Sequence, residues 1–202
     1  MGRANRDATP DEMKRMDDIV DKAMKDGAVG LSTGLIYLPG MYSNTEEVIG
    51  LAKSAANYNG VYASHIRNEE NGVKDAINEA INIGKAANMP VEISHFKVSG
   101  PANWGRSKET LPLIEAARKA GYDVTIDQYP YSASRTNLGI RLPDWAMAGG
   151  PDSTKKRIND PAMHKQIIKE MLEMQNKYKY KNYSYAYVAY HNADTTYNGK
   201  NI

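Results

Sequence analysis

Val61–Glu70 reads VYASHIRNEE, and further along Val91–Gly100 reads VEISHFKVSG. Each opens as an apolar run that suits a buried strand, and each run closes on Ser-His. His65 and His95, two of the four histidines in the chain, therefore hold matching places in two similar segments. The segment between them, GVKDAINEAINIGKAANM (72–89), is apolar at Val73, Ala76, Ile77, Ala80, Ile81 and Ile83, which is helical spacing. Strand, helix, strand over about 30 residues is one βα unit of a parallel sheet.

The same rhythm runs outward on both sides. Thr9-Pro10-Asp11-Glu12 has the form of a capped helix start, and Met13, Met16, Ile19, Val20 and Met24 continue it up to Gly27. AVGLS (28–32) is expected to be a strand. NTEEVIGLAKSAANYNG (44–60) is a helix with Asn44 and Glu47 at capping-box spacing. PVEISH (90–95) is a strand, KETLPLIEAARKAG (108–121) a helix and YDVTIDQYPY (122–131) a strand. No G-x-G-x-x-G and no phosphate-loop motif occurs, which disfavours a doubly wound nucleotide fold. Polar residues stand where strands end: Ser32, His65, His95 and Asp127. That pattern fits a (β/α)8 barrel, whose sites lie at the C-terminal ends of its strands. The expected fold class is α/β, a partial TIM-type barrel of about four to five βα units, since a full barrel takes about 250 residues.

Three regions are expected. Residues 1–131 carry the central βα units. Residues 132–181 form an irregular insertion or lid that includes the helix PAMHKQIIKEMLEMQNKYK (161–179). Residues 182–202 hold a further strand, NYSYAYVAYH (182–191), with alternating tyrosines, and a truncated end.

Charge is nearly balanced at +2, with no pull toward nucleic acid or an anionic membrane. Cysteine is absent, so neither a disulfide framework nor a thiolate metal site is available. No apolar run reaches the roughly 20 residues of a membrane span. A soluble, cytoplasmic protein is expected. The basic and aromatic stretch NKYKYKNYSYAY could in principle stack bases, but period-two tyrosine reads first as a partly exposed strand.

Histidine at the end of a barrel strand is a common metal ligand. One such residue usually just packs or hydrogen-bonds; two at matching positions favour a shared metal. Glu69, Glu70 and Glu92 are near enough in sequence to orient the rings or simply to be solvated, and Glu92 alternates with Val91 and Ile93 onto the opposite face of its strand. Catalytic zinc usually takes three protein ligands and a water. His164 reads as a helix surface residue, and His191 follows the tyrosine run in a generic context.

GAVGLSTGLIYLPGMYSNTEEVIGLAK, GVYASHIRNE, PVEISHFKVSG, NWG and DQYPYSAS together resemble the N-acyl-D-amino-acid deacylases, or D-aminoacylases, of the metal-dependent amidohydrolase superfamily. The resemblance covers nearly all of residues 1–145. It implies a (β/α)8 barrel that hydrolyses the amide of N-acyl-D-amino acids with a zinc-bound water. It implies His65 and His95 as metal ligands. It implies Lys97 against the substrate carboxylate and Tyr37, Tyr129 and Ser134 lining the pocket.

The family also carries an H-x-H pair on its first strand, a metal-ligating cysteine and a catalytic aspartate on its last strand. This sequence has no H-x-H and no cysteine, and Asp194 falls too early to be that aspartate. The expectation is the central segment of such an enzyme. No catalytic residue is expected within the chain, and the aspartate would lie beyond Ile202. The expected partners are a small-molecule N-acyl amino acid and further copies or complementing fragments that supply missing strands, with no nucleic acid and no membrane. Two other functions compete: an amidohydrolase acting on a cyclic amide or ureide, dihydroorotase-like, and a non-catalytic scaffold.

Overall fold

The computed structural model describes residues 2–202. Four strands, β1 (Gly30–Gly34), β2 (Val61–His65), β3 (Val91–Ile93) and β4 (Val124–Ile126), form one parallel sheet in the order β1-β2-β3-β4. Helices α1 (Pro10–Lys25), α2 (Thr45–Ala56), α3 (Val73–Ala87) and α4 (Ser107–Lys119) each precede one strand. Sequential strand order with a helix in every crossover is the arrangement of an arc of a (β/α)8 barrel. Among the described residues β1 and β4 are each paired on one side only.

Local chemistry sets the helix starts. Thr9 accepts from the Glu12 amide while the Glu12 carboxylate takes the Thr9 amide, and Asn44 and Glu47 repeat the capping box at α2. α3 ends on Asn88 in the left-handed conformation, its amide bonded back to Gly84 and Lys85.

The register decides which residues enter the core. Leu31, Tyr62, Val91 and Val124 share one row, and Thr33, Ser64, Ile93 and Ile126 another. Both rows face the helices, where Tyr62, Ile77, Ile83 and Ile93 are fully buried. Each such side chain contributes roughly 1.5–3 kcal/mol through its removal from water. Gly84 lets α3 settle onto β3: a Cβ there would lie 2.0 Å from Val91 Cγ2. The opposite sheet face carries Ser32, Ala63, Glu92 and Thr125, and ends in His65. Glu92 thus lies on the face away from Val91 and Ile93, as its alternation predicts.

Two expected strands are shorter than their apolar runs. The segments 90–95 and 122–131 contribute only Val91–Ile93 and Val124–Ile126, because the chain turns at Ser94-His95 and after Ile126. The expected strand over 182–191 does not form. The segment is turns and bends with one antiparallel bridge, Tyr187 to Asn201. Tyr185 is drawn elsewhere, as described below, while Tyr187 and Tyr190 stay exposed, so the described chain has four strands. Between these regions, α5 (Asp144–Met147), α6 (Pro151–Asn159) and α7 (Pro161–Lys177) pack on one another. Trp145 Nε1 donates to Glu170 across α5 and α7 at 2.8 Å.

Candidate metal site

β2 ends on His65 with its side chain on the open face of the sheet. β3 ends two residues before His95, and regular alternation would send that side chain to the helix side with Ile93. The chain does not continue regularly. His95 has φ +43°, the left-handed region, and its amide donates to the Asp127 carboxylate just past β4. The neighbouring Phe96 amide donates to the Asp127 carbonyl at 2.8 Å. A left-handed non-glycine residue costs on the order of 1–3 kcal/mol and persists where its surroundings hold it, commonly at functional sites. Here the turn brings the His95 ring against His65, edge to face, with centroids 4.3 Å apart.

A third group completes the cluster. Glu69 Oε1 lies 3.2 Å from His95 Nδ1 and 3.7 Å from His65 Nε2. One donor atom from each of the three residues falls within 4.8 Å of the others. All three side chains are largely buried, Glu69 most of all at 12% exposed. His65 Nε2 is buried without a hydrogen-bond partner. Burial pushes the His65 pKa down to about 4, opposed by Glu69 and reinforced by His95 and Lys97. The ring is therefore neutral near pH 7, with a lone pair free for a metal. Two imidazoles and a carboxylate suit zinc, and the orphaned Nε2 is the kind of buried atom a metal satisfies. The residues present fit the ion.

Lys97 Nζ sits at the rim of this cluster, 2.5 Å from Glu69 Oε1 and 3.1 Å from His95 Nδ1. It lies over the Tyr129 ring at 5.5 Å, and that ring is 6.4 Å from His95. The Tyr129 hydroxyl is buried without a partner. Tyr37 packs on His65 with ring centroids 4.8 Å apart, its hydroxyl 3.0 Å from Thr136 Oγ1. Ser134 is exposed and takes no part in these contacts. Thus His65, His95, Lys97, Tyr37 and Tyr129 are brought together, and Ser134 is not.

The sequence left Glu69 indistinguishable from Glu70 and Glu92. Glu70 turns to Arg141, 3.1 Å away. Glu92 accepts from Ser94 Oγ at 2.7 Å, and burial, with Asp127 close by, raises its pKa. His164 is exposed with Nδ1 2.9 Å from the Ile158 carbonyl, and His191 receives the Asp194 amide at 2.9 Å. Neither belongs to the cluster.

No family model matches the chain. It is similar to D-aminoacylase of Alcaligenes xylosoxydans xylosoxydans, 46% identical over 133 residues, which are 66% of this chain and 27% of the relative. Among solved structures it superposes on a D-aminoacylase that defines a novel subset of amidohydrolases, with TM-score 0.64 and 46% identity over 66% of this chain and 28% of that one. It also matches the N-acyl-D-glutamate deacylase of Bordetella bronchiseptica, complexed with zinc and a phosphonate mimic of the tetrahedral intermediate. That match has TM-score 0.60 and 43% identity over 62% of this chain and 26% of the other. The resemblance expected from the motifs is thus found at the level of both sequence and fold. The chain spans about a quarter of the length of the relatives it matches.

Proposed function

We propose that the whole protein is a zinc-dependent amidohydrolase that cleaves the amide of N-acyl-D-amino acids, releasing a carboxylate and a D-amino acid. One observation carries the reading: His65, Glu69 and His95 converge, with an unpartnered buried Nε2, at the strand ends where a barrel holds its chemistry. The similarity to deacylases, one of them solved with zinc and a tetrahedral-intermediate mimic, supports it.

In this reading His65 and His95 hold the zinc, and Glu69 is a third donor. Zinc bound there would supply Lewis acidity, bringing the pKa of a bound water to near 7. The other residues bind and orient the substrate. The Lys97 ammonium attracts the free carboxylate of the N-acyl amino acid through a charge-assisted hydrogen bond. Tyr129 buttresses Lys97, and its unpartnered hydroxyl can bond a carbonyl oxygen. Tyr37 covers His65, while Ser134, expected to line the pocket, stands exposed and apart from the cluster and is given no role. Asp127 holds the His95 backbone. The catalytic aspartate known from the family is not assigned to any residue of this chain.

Other aspects belong to the same reading. Residues 1–131 are the barrel segment, 132–181 an inserted region and 182–202 a terminal segment. The one-sided pairing of β1 and β4 favours association with further copies or with complementing strands. No helix among the described residues is long and apolar enough to cross a membrane, and a cytoplasmic location is proposed.

The test is a substrate panel of N-acetyl-D-amino acids, their L enantiomers and cyclic ureides, run on the whole protein with zinc and with chelator. Zinc-dependent release of D-amino acids is expected. Turnover of cyclic ureides alone would select the dihydroorotase-like alternative, and no metal-dependent cleavage at all would select a non-catalytic scaffold. Light scattering of the 202-residue chain tests association; a monomer at all concentrations would refute it.

A further inference from the structure

The tyrosine-rich segment that fails to become a strand has another use. Tyr180 and Tyr185 stack with centroids 4.2 Å apart and planes 16° from parallel. The Arg141 guanidinium lies over both rings, 5.5 Å from Tyr180 and 5.6 Å from Tyr185. From this aromatic cradle Arg141 Nη1 reaches Glu70 Oε1 at 3.1 Å. Glu70 is the residue next to Glu69.

The segment between β2 and α3 has no regular structure to hold it, so its shape depends on side-chain pins. Arg67 is tied to Glu79 at 2.9 Å and to the carbonyls of Met41 and Ser43. Asn68 Oδ1 accepts the Glu70 and Gly72 amides. The Ser99 amide donates to the Glu69 carbonyl at 2.6 Å. These pins come from the βα units themselves. From the later part of the chain the loop is held through side chains: Arg141 pairs with Glu70, and the Tyr178 hydroxyl approaches Glu70 and Asn68. The Glu69 carbonyl and the Glu70 amide belong to one peptide plane. An anchor on the Glu70 side chain therefore steadies that plane together with Ser99 and Asn68, and with it the direction in which Glu69 leaves the backbone.

We propose that Arg141, seated on Tyr180 and Tyr185, is a positioning residue: by fixing Glu70 it aims the Glu69 carboxylate at His65 and His95. The inference rests on the metal-site reading above. It gives the segment from Arg141 to Tyr185 a part in the site although the cluster's donor atoms all come from earlier residues.

The experiment is zinc titration of the full chain against a chromophoric chelator, with amide exchange at Ser99 as a second readout. Arg141→Met is expected to weaken zinc binding about tenfold, the lower end of what outer partners of metal ligands contribute. It is also expected to speed Ser99 exchange, without changing the circular dichroism spectrum. Arg141→Lys restores part of both. Tyr180→Phe with Tyr185→Phe, which keeps the rings, stays near wild type, and the double alanine variant resembles Arg141→Met. Wild-type affinity and wild-type Ser99 exchange in Arg141→Met would overturn the inference while leaving the metal site standing. A wild-type chain that binds no zinc would overturn the site and the inference with it. Should Arg141→Met fail to fold, the aromatic variants decide: equal affinity in the phenylalanine and alanine pairs overturns the inference.

Discussion

The rings of His65 and His95 meet edge to face at 4.3 Å, yet the strands beneath them are out of step, with Ser64 paired to Ile93. The left-handed turn at His95 closes that gap, and Asp127 holds the turn through the His95 amide. Asp127→Ala removes the acceptor and leaves the turn to its own strain. Zinc affinity is expected to fall about tenfold, and stability by about 1–3 kcal/mol as the amide loses its charged acceptor. Chelator competition and urea unfolding check the two effects; unchanged affinity would mean that Asp127 is not what holds the ring.

Glu69 is the cluster's carboxylate. Glu69→Gln keeps the shape and removes the charge that His65, His95 and Lys97 share. The variant is expected to bind zinc at least about tenfold more weakly, whereas Glu70→Gln, with its neighbour intact, loses less. A reversed order of the two in the same titration would assign the donor role to the wrong residue.

The pH dependence has a definite sign. His65 is held at about 4, below the value near 6.5 of an exposed histidine. The folded chain therefore resists protonation that the unfolded chain accepts. Its contribution to stability is full above pH 6.5 and is lost as pH falls toward 4. Zinc, which needs the neutral ring, should be held by the folded chain until pH nears 4. Urea midpoints of the metal-free chain between pH 7 and 4 should fall more steeply for wild type than for His65→Phe. Parallel curves would show that His65 titrates normally.

Gly84 tests the packing that carries β3. Alanine there would gain up to about 1 kcal/mol of helix propensity. Its Cβ would also stand 2.0 Å from Val91 Cγ2, so the helix must move off the strand. Gly84→Ala is expected to destabilise by about 1–3 kcal/mol, and adding Val91→Ala should recover part of it. A more stable single variant in thermal unfolding would refute the close approach.

Much of this molecule was legible because its signals are local. Apolar spacing along 72–89, and the boxes Thr9 to Glu12 and Asn44 to Glu47, act within a few residues, so α1, α2 and α3 lie where the pattern puts them. β2 spans Val61–His65 as read, and the two histidines share one place. Three things depended on residues far apart in the chain. Glu69 separated from Glu70 and Glu92 only when Lys97 paired with Glu69, Arg141 with Glu70 and Ser94 with Glu92. The tyrosines of 182–191 alternate like a strand, yet Tyr185 went to Arg141 and Tyr180 instead, and the segment's ladder stops at one antiparallel bridge, Tyr187 to Asn201. His95 looked like a repeat of His65, but strand alternation would have turned it away. The order of residues alone offered His65 and His95 as a pair; the carboxylate of Asp127, just past β4, decided that the His95 ring meets His65, because only the folded chain brings that acceptor to the His95 amide.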